Sequence, residues 1–311
     1  MSYYQQRNRR SLSIGQDGNA LTLLIAINLI AFVLLAFVKV IYYFSRSEQG
    51  LTLFYNNFFY WVTLPADLDK FINRPWTLIT HMFVHDTQNV WHILGNMIWL
   101  WAFGYILQDL TGNRKIIPIF LYGALAGALG YMIAFNVIPP LREHISYAQA
   151  YGASAGIMAI AIATTTLAPN YRIFTMLNGG IPIWIITVLY LIIDLATIPE
   201  NNPGGHIAHI AGGLMGFWFI VMMQRGHDWS DWMNNFYDWL SNLFNPDKPK
   251  KGKPVKSQLF YKATVQPFKK TPTVTQQKID EILDKINQKG YHSLSEDEKE
   301  VLKRASKEDL L

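Results

Sequence analysis

Six apolar runs, separated by short polar segments, dominate the chain as far as about residue 224. The first run, LTLLIAINLIAFVLLAFV, contains no charged residue. About 20 helical residues span the ~30 Å hydrocarbon core of a bilayer, and runs this long and continuous are not typical of barrel strands. The pattern therefore predicts six transmembrane helices, at Leu21–Val38, Val90–Leu110, Ile116–Val137, Gly152–Leu167, Ile181–Leu195 and Ile207–Met222.

Beyond the sixth run the pattern of apolar positions changes. Trp229, Trp232 and Phe236 recur at helical spacing within residues 226–245, which predicts an amphipathic helix lying in the membrane interface. Residues 246–274 are rich in proline and lysine, and we expect them to form a disordered linker attracted to anionic lipid.

Residues 275–311 again have a helical pattern. An apolar stripe that includes Ile279, Ile282 and Ile286 precedes Gly290, a residue typical of helix ends. The sequence Ser-Glu-Asp-Glu from Ser295 is a capping box, which indicates the start of a second helix. This segment is therefore predicted to be a small helical hairpin.

Composition and charge fit a membrane protein. Charged residues make up 16% of the chain, the formal net charge is +5, and cysteine is absent. A soluble domain carries about 25% charged residues, and a charge this small does not indicate a nucleic-acid surface. Without cysteine there is no thiol nucleophile, thiolate metal site or disulfide.

Lysine and arginine near the ends of the runs predict the orientation. Basic residues alternate with the runs so that most fall on one side: Arg7, Arg9, Arg10, Arg114, Lys115, Arg172 and Arg225. That side is the cytoplasmic one by the positive-inside rule. We expect a multi-pass membrane protein with both termini cytoplasmic, including an N-terminal tail at residues 1–19 and the C-terminal hairpin.

Polar residues inside the runs are candidates for function, because such residues are costly in a membrane. His92 and Asn96 lie on one helix face of the second run, Ser154 begins the fourth, and His206 and His209 lie one turn apart in the sixth. The predicted topology places all of them near the non-cytoplasmic surface. Their common depth is a stronger signal than any one of them, since a lone histidine in a membrane is often only an interhelical hydrogen-bond donor.

Small residues explain how these groups meet. They flank the polar residues of the fourth and sixth runs at Gly152, Ala155, Gly212 and Gly216. Small-xxx-small patterns let two helix backbones approach closely, which would bring the Ser154 hydroxyl to His209. A serine beside a histidine base is an activated nucleophile, and His92 and Asn96 would then supply donors for an oxyanion.

At this point the chain resembles the rhomboid family of intramembrane serine proteases, in its bacterial type with a C-terminal cytoplasmic extension. The resemblance implies a location in the bacterial inner (cell) membrane. Gly152-Ala-Ser154 is similar to that family's Gly-x-Ser motif, and AHIAGGLMG from Ala208 to its AHxxGxxxG motif. His92-x-x-x-Asn96 resembles its HxxxN element, and Arg74-Pro-Trp76 the start of the same region. The resemblance covers roughly Leu21–Gln224, in the family's order.

The resemblance implies an all-α six-helix bundle at residues 20–225 that cleaves single-span membrane proteins in or near the lipid bilayer. It implies a Ser154–His209 dyad with no carboxylate to complete a triad, and an oxyanion hole formed by the Ser154 N–H, His92 and Asn96. It implies a membrane-dipping first loop within Arg46–Asn89, a fifth span that acts as a lateral gate, and neither metal nor cofactor. His206 is then structural or lines the cavity.

The chain departs from the family's pattern at two positions. Ala155 follows the serine where the family usually has glycine, and Met158 stands where some members place a tyrosine that stacks on the histidine. Both bear on the rate more than on the mechanism.

Two other functions are compatible with parts of the sequence. One is an inactive rhomboid-like protein that binds membrane clients, although such proteins typically lack the serine or the histidine. The other is a metalloenzyme, because His81-x-x-x-His85 and His206-x-x-His209 have ligand-like spacing. HExxH is absent from the sequence, and acidic partners are sparse.

Overall fold

The structure is a computed structural model of the chain. It describes residues 19–45, 49–176, 179–198, 202–243 and 276–308. The chain divides into two compact units, residues 1–245 and 246–311, which are described separately. Most of the predicted N-terminal tail and the whole of the predicted linker lie outside the described residues.

The first unit is almost entirely helical. Its helices are α1 (Ala20–Ser45), α2 (Gly50–Phe54), α3 (Tyr60–Val62), α4 (Leu68–Ile72), α5 (Thr77–Thr80), α6 (Val90–Thr111), α7 (Ile116–Val137), α8 (Pro139–Arg142), α9 (Ser154–Leu167), α10 (Ile183–Ala196), α11 (Pro203–Gln224) and α12 (Asp231–Ser241). A π-helical turn at Tyr55–Phe59 joins α2 to α3, and 3-10 turns form at His81–Phe83 and Asn113–Lys115.

Two short antiparallel ribbons tie loops together. β1 (Leu64–Pro65) pairs with β2 (Gln149–Ala150), with Leu64 opposite Ala150. β3 (Arg172–Ile173) pairs with β4 (Ile181–Pro182), with Arg172 opposite Pro182. The first ribbon holds the loop after α1 to the segment that leads into α9.

Each of the six predicted spans falls on a helix. In the part of the chain that the structure describes, four helices are long and apolar enough to cross a membrane, namely α1, α6, α7 with the turn before it, and α11. Helices α9 and α10 are apolar but have only 14 residues each, which gives a length of roughly 21 Å. Helix α9, the predicted fourth span, begins at Ser154 and not at Gly152, because Gly152 has a φ of +125° that no right-handed helix allows.

Helix α9 is fully packed between neighbouring helices. A methyl group on Gly123 of α7 would overlap the side chain of Ala159, and one on Gly216 of α11 would overlap the Ala159 carbonyl oxygen. Ile157 and Ile160 of α9 are completely buried. The predicted close approach of the fourth and sixth spans is therefore present, and it depends on residues without bulky side chains.

The loop between α1 and α6 is held by a buried arginine. The Arg74 guanidinium donates a hydrogen bond to the carbonyl of Tyr60 and lies 3.5 Å above the centre of that residue's ring. Arg74 is only 2% exposed, so its charge is stabilised by the carbonyl and by the aromatic face. Beside it, the rings of Trp61 and Trp76 stack at 5.9 Å. The Arg74-Pro-Trp76 motif thus shapes the approach to α6.

Helix α12 is attached to the start of α7. The Lys115 ammonium donates to Asp228 and, at 2.7 Å, to the Ser230 hydroxyl, while Trp232 donates to the Tyr122 hydroxyl. Partial burial opposes the charge of Asp228, but the hydrogen bonds from Lys115 and Ser230 outweigh it and lower the pKa of this carboxyl. The amphipathic helix predicted within 226–245 therefore occupies Asp231–Ser241 and is fixed by polar contacts.

The second unit contains α13 (Gln276–Lys289), a 3-10 turn at Tyr291–Ser293 and α14 (Glu296–Glu308). Its core consists of Ile282, Leu294 and Val301. The backbone N–H of Ser295 donates to Glu298 at 2.8 Å, and the N–H of Glu298 donates back to the Ser295 hydroxyl at 3.3 Å. These are the two hydrogen bonds of the capping box that the sequence predicts.

Candidate active site

Ser154 stands at the N-terminus of α9. The turn before it requires glycine, because Gly152 has a left-handed backbone and its N–H donates to the His81 carbonyl at 2.9 Å. As the first residue of the helix, Ser154 has a backbone N–H with no carbonyl of its own helix to donate to. The hydroxyl and this N–H are both available at the positive end of the helix dipole.

His209 reaches Ser154 from α11. Its Nε2 lies 2.7 Å from the serine Oγ, a distance typical of a strong hydrogen bond. The His209 side chain keeps 18% of its surface exposed. The structure thus brings together the two residues that the sequence predicts as nucleophile and base.

His92 presents a ring N–H donor near Ser154. The backbone N–H of Asp86 donates to His92 Nδ1 at 3.4 Å, so the proton of the neutral ring is on Nε2. A Cβ on Gly152 would lie 3.1 Å from that Nε2 and 3.6 Å from the Ser154 Oγ. His92 Nε2–H is therefore near the serine and contacts the turn that presents it.

Asn96 contributes a donor without a partner. It is 8% exposed, and its Nδ2 has no hydrogen-bond partner among the described residues. A buried amide N–H₂ without an acceptor costs about 1–3 kcal/mol, so such groups occur where a ligand or reacting atom supplies the acceptor. Asn96 lies one turn after His92 on α6, on the same face.

These groups line one cavity of about 420 Å³. It lies where α6, α9 and α11 begin, at the opposite end of α6 from Arg114 and Lys115. Its walls include all the predicted site residues that carry a functional group, together with one further histidine and two tyrosines: His81, His92, Asn96, Tyr151, Ser154, Tyr190 and His209.

The four small residues predicted to support the site do so in different ways. Gly152 forms the turn before Ser154. Ala155, Gly212 and Gly216 lie at the contact of α9 with α11, where methyl groups on either glycine would overlap the backbone of α9. Met158 is completely buried, and its side chain would contact a Cβ on Gly213 at 3.2 Å.

A carboxylate completes the arrangement, contrary to the expectation of a bare dyad. Asp194, near the end of α10, lies with its Oδ1 2.7 Å from Nδ1 of His209 and also 2.7 Å from Nδ1 of His206. It is 4% exposed. Sequence reasoning passed over Asp194 as part of an apolar run, although an acidic residue within a predicted span is itself a signal of function.

The same three side chains offer ligand atoms for a metal ion. One atom each from Asp194, His206 and His209 lies within 4.8 Å of the others, and they form the one such group of three among the described residues. His81 and His85 belong to no such group there. Each of these two rings instead has its Nδ1 beside a backbone carbonyl, at 2.9 Å from Thr77 and 3.3 Å from Phe83. The two predicted histidine pairs therefore do not form one metal site.

Comparison with known proteins gives two matches to families. Residues 73–226 match the family model for the rhomboid domain, and residues 268–308 match a family of unknown function, DUF6576. The first match covers α6 to α11 and every candidate site residue. The second covers the described hairpin.

The curated relatives are distant, and their names all contain the word rhomboid. The chain is 26% identical over 169 residues to RHOMBOID-like protein 12, mitochondrial, of Arabidopsis thaliana, covering 51% of this chain and 50% of that protein. It is 29% identical over 156 residues to Rhomboid-related protein 2 of Mus musculus, covering 45% of each. It is 26% identical over 159 residues to Rhomboid protein 1, mitochondrial, of Saccharomyces cerevisiae, covering 46% of this chain and 41% of that one.

The chain thus spans half or less of the length of these relatives. The match to the rhomboid family model, at residues 73–226, contains every residue that lines the cavity. Taken with that domain match, the fold and the motifs show that this integral membrane protein belongs to the rhomboid family.

Proposed function

We propose that the chain is an intramembrane serine endopeptidase that cleaves single-span membrane proteins in or near the bilayer. The observation that carries the proposal is the 2.7 Å contact between Ser154 Oγ and His209 Nε2. It lies in a cavity that also holds an unpaired donor, Asn96 Nδ2. A nucleophile, a base and oxyanion donors in one cavity are the parts that acyl transfer needs.

Peptide cleavage would run in two stages. His209 Nε2 takes the hydroxyl proton as Ser154 Oγ bonds to the substrate carbonyl carbon, which places the negative charge on the carbonyl oxygen. The N–H of Ser154, with His92 Nε2–H and Asn96 Nδ2–H₂, stabilises that oxyanion. The C–N bond then breaks, and the amine takes the proton from His209. In the second stage a water molecule gives a proton to His209 Nε2 and bonds to the acyl carbon, the bond from that carbon to Ser154 Oγ breaks, and Oγ takes the proton back.

The proposal includes a six-span topology. Helices α9 and α10 are short but apolar; α9 packs between α7 and α11, and α10 contacts α9 and α11. With six spans both termini share a side, and Arg114, Lys115 and Arg225 make that side cytoplasmic. The cavity then opens on the non-cytoplasmic side of what we propose is a bacterial inner membrane.

The proposal needs no metal or cofactor, and its partners are the lipid bilayer and transmembrane substrates. The runner-up is a rhomboid-like protein that binds clients without cutting them. The residues that would be dispensable in such a protein, Ser154 and His209, are here in hydrogen-bonding contact, which favours the protease.

Cleavage of a generic single-span reporter by the full chain in detergent tests the proposal. We expect wild type to cleave it and to react with a fluorophosphonate, and Ser154→Ala and His209→Ala to do neither. Gel filtration and thermal unfolding would show that the variants are folded. A folded wild type that binds the reporter but neither cleaves nor labels would identify the client-binding protein instead.

A further inference from the structure

We infer that Asp194 and His206 form a pair that positions His209, so that the site works as a Ser-His-Asp relay and not as a dyad. The inference rests on the proposed function, since it assigns a role to residues beside the same base. Asp194 would be a positioning residue, because it acts through His209 and does not touch the reacting atoms.

The geometry comes from two helices. Asp194 lies in the last turn of α10, while His206 and His209 follow each other by one turn near the start of α11. Both rings turn their Nδ1 atoms toward the same carboxylate oxygen, each at 2.7 Å. The rings meet edge to face, with centroids 5.7 Å apart. One buried oxygen is thus shared by two imidazoles.

The chemistry of the carboxylate fixes the tautomer of the base. An ionised carboxylate only accepts hydrogen bonds, so His209 must place a proton on Nδ1. In a neutral ring the other nitrogen, Nε2, then carries a lone pair, and this is the atom 2.7 Å from the Ser154 Oγ. The opposite tautomer would present an N–H to the serine and would be unable to take its proton.

The carboxylate also offsets charge during the reaction. When His209 gains the serine proton it becomes a cation, and Asp194 is the anion in contact with it. A charge pair of this kind inside a protein interacts far more strongly than one in water. Asp194 is only 4% exposed, so little solvent reaches it to weaken this interaction.

His206 holds the carboxylate in place. A buried carboxylate is costly unless several donors satisfy it, and His206 supplies the second donor to Oδ1. On its other side, Nε2 of His206 lies 3.3 Å from the Thr197 hydroxyl. His206 therefore orients Asp194, and Asp194 in turn orients His209. This gives His206, which has no other assigned role, a function in the site.

A metal ion is the competing explanation for the same three side chains. A metal at Nδ1 of His209 would replace the proton there. The two readings therefore differ in a measurable way, because the relay needs the Nδ1 proton and tolerates chelators, whereas a metal site needs the ion.

The test compares full-length variants in detergent by reporter cleavage, with kcat and KM determined separately. We expect Asp194→Asn to lower kcat by about 10²–10⁴-fold with KM within a few-fold, since substrate contacts are unchanged. His206→Ala should lower kcat by about 10-fold while leaving clear activity, because the Asp194–His209 hydrogen bond remains. His206→Gln, which keeps a donor, should recover most of that loss.

Thr187→Val is the matched control. Thr187 is also buried on α10, and its hydroxyl contacts Thr165 at 2.6 Å, away from the cavity. The variant should unfold at a lower temperature but keep the kcat of wild type. A purely structural role for Asp194 would instead make Asp194→Asn behave like this control.

Two further measurements do not depend on the fold of Asp194→Asn. Formate should restore part of the kcat of Asp194→Ala and none of that of Ser154→Ala. In wild type labelled with ¹⁵N-histidine, NMR should show His209 protonated at Nδ1 and not at Nε2. The Nε2–H tautomer at neutral pH would overturn the inference.

The outcomes separate this inference from the proposed function. If wild type cleaves and Asp194→Asn keeps kcat within threefold, the relay is wrong and the protease stands. If EDTA abolishes wild-type cleavage and Zn²⁺ restores it, Asp194 is a metal ligand and the relay is wrong. If folded wild type neither cleaves nor reacts with fluorophosphonate, both proposals fall.

Discussion

The backbone carbonyl oxygen of Ala155 lies against the Cα of Gly212, where an added methyl group would overlap it. On its other side, the Cβ of Ala155 occupies the space that a side chain on Gly127 would need. Helix α9 is therefore held between α7 and α11 one residue after Ser154. The distance from Ser154 to His209 is set by this packing.

Ala155 should tolerate only small replacements. Ala155→Gly should keep kcat within a few-fold of wild type, because it removes one methyl group and costs about 1 kcal/mol of helix propensity. Ala155→Leu should nearly eliminate cleavage, since the longer side chain meets the backbone at Gly127 and displacements of ~1 Å can cost ~10²-fold in rate. Reporter kinetics and fluorophosphonate labelling at equal folded concentration measure both. Activity of Ala155→Leu close to wild type would show that close packing does not set the site.

Gly152→Ala should lose activity beyond its loss of stability. Its backbone is left-handed, which costs a non-glycine residue roughly 1–2 kcal/mol, and its Cβ would lie 3.1 Å from His92 Nε2. Gly112→Ala is the control, because Gly112 also has a positive φ but a Cβ there would contact nothing within 4 Å. We expect both variants to unfold at lower temperature and only Gly152→Ala to have a reduced kcat. Equal kcat values for Gly152→Ala and Gly112→Ala would show that the turn at Gly152 does not position the site.

Asn96→Ala should lower kcat by ~10²–10³-fold, the usual effect of losing one oxyanion donor. His92→Ala should behave similarly. The control is Gln108→Ala on the same helix, because buried Gln108 accepts from the backbone of Leu21, far from the cavity, and should affect stability alone. Wild-type turnover by the variants at Asn96 and His92 would exclude both from the oxyanion hole.

Truncation after Asn245 should leave a folded and active protease. Every residue that lines the cavity precedes it, and the hairpin has its own core. The measurement is reporter cleavage by the truncated chain, with the truncated Ser154→Ala variant as the blank. A well-folded truncated protein without activity would assign the hairpin a part in function.

The hairpin should lose stability in acid through Glu298. The hydrogen bond from Lys285, and then that from the Ser295 N–H, lower the pKa of Glu298 from 4.5 to about 2. A carboxyl that is more acidic in the folded state stabilises the fold fully above its unfolded pKa, and this contribution disappears as pH falls toward the folded value. Hydrogen-exchange protection of residues 276–308, corrected for intrinsic rates, should therefore fall between about pH 4.5 and pH 2.

Glu298→Gln should already have reduced protection at neutral pH and a weaker dependence on acid. Glu281→Gln, on the exposed side of α13, is the control and should follow wild type. If Glu298→Gln and wild type respond to acid alike, the capping box does not stabilise the hairpin through this charge.

Local patterns were enough to predict the six apolar helices, the amphipathic helix, the hairpin and the contact of Ser154 with His209, but not the short helices α2–α5 and α8. Apolar runs fix where helices lie, and the small residues beside Ser154 and His209 predict that α9 and α11 approach closely. The predicted start of α9 was two residues too early. Gly152 has a positive φ and its N–H donates to the distant His81 carbonyl, a contact that the local sequence does not reveal. The capping box at Ser295 was visible because both partners lie within four residues.

Asp194 was missed because its partners are distant in sequence. His206 and His209 reach it only after the chain turns back between α10 and α11, and no periodicity in either helix signals that contact. The orientation of His92 was equally hidden, since it depends on a backbone N–H of Asp86 in the preceding loop. Such contacts are set by tertiary packing, not by local preference.

Helix α10 lies at the margin of the bundle, with most of its long side chains exposed and only Ile183, Thr187 and Asp194 buried. Few buried side chains hold α10 in place, yet this helix carries Asp194, the carboxylate in contact with His209. Any outward tilt of α10 that admitted a substrate helix would draw Asp194 away from His209. The site would then react slowly while α10 is tilted and would recover its full rate when the hydrogen bond from His209 to Asp194 forms again, so admission and reaction would occur in turn.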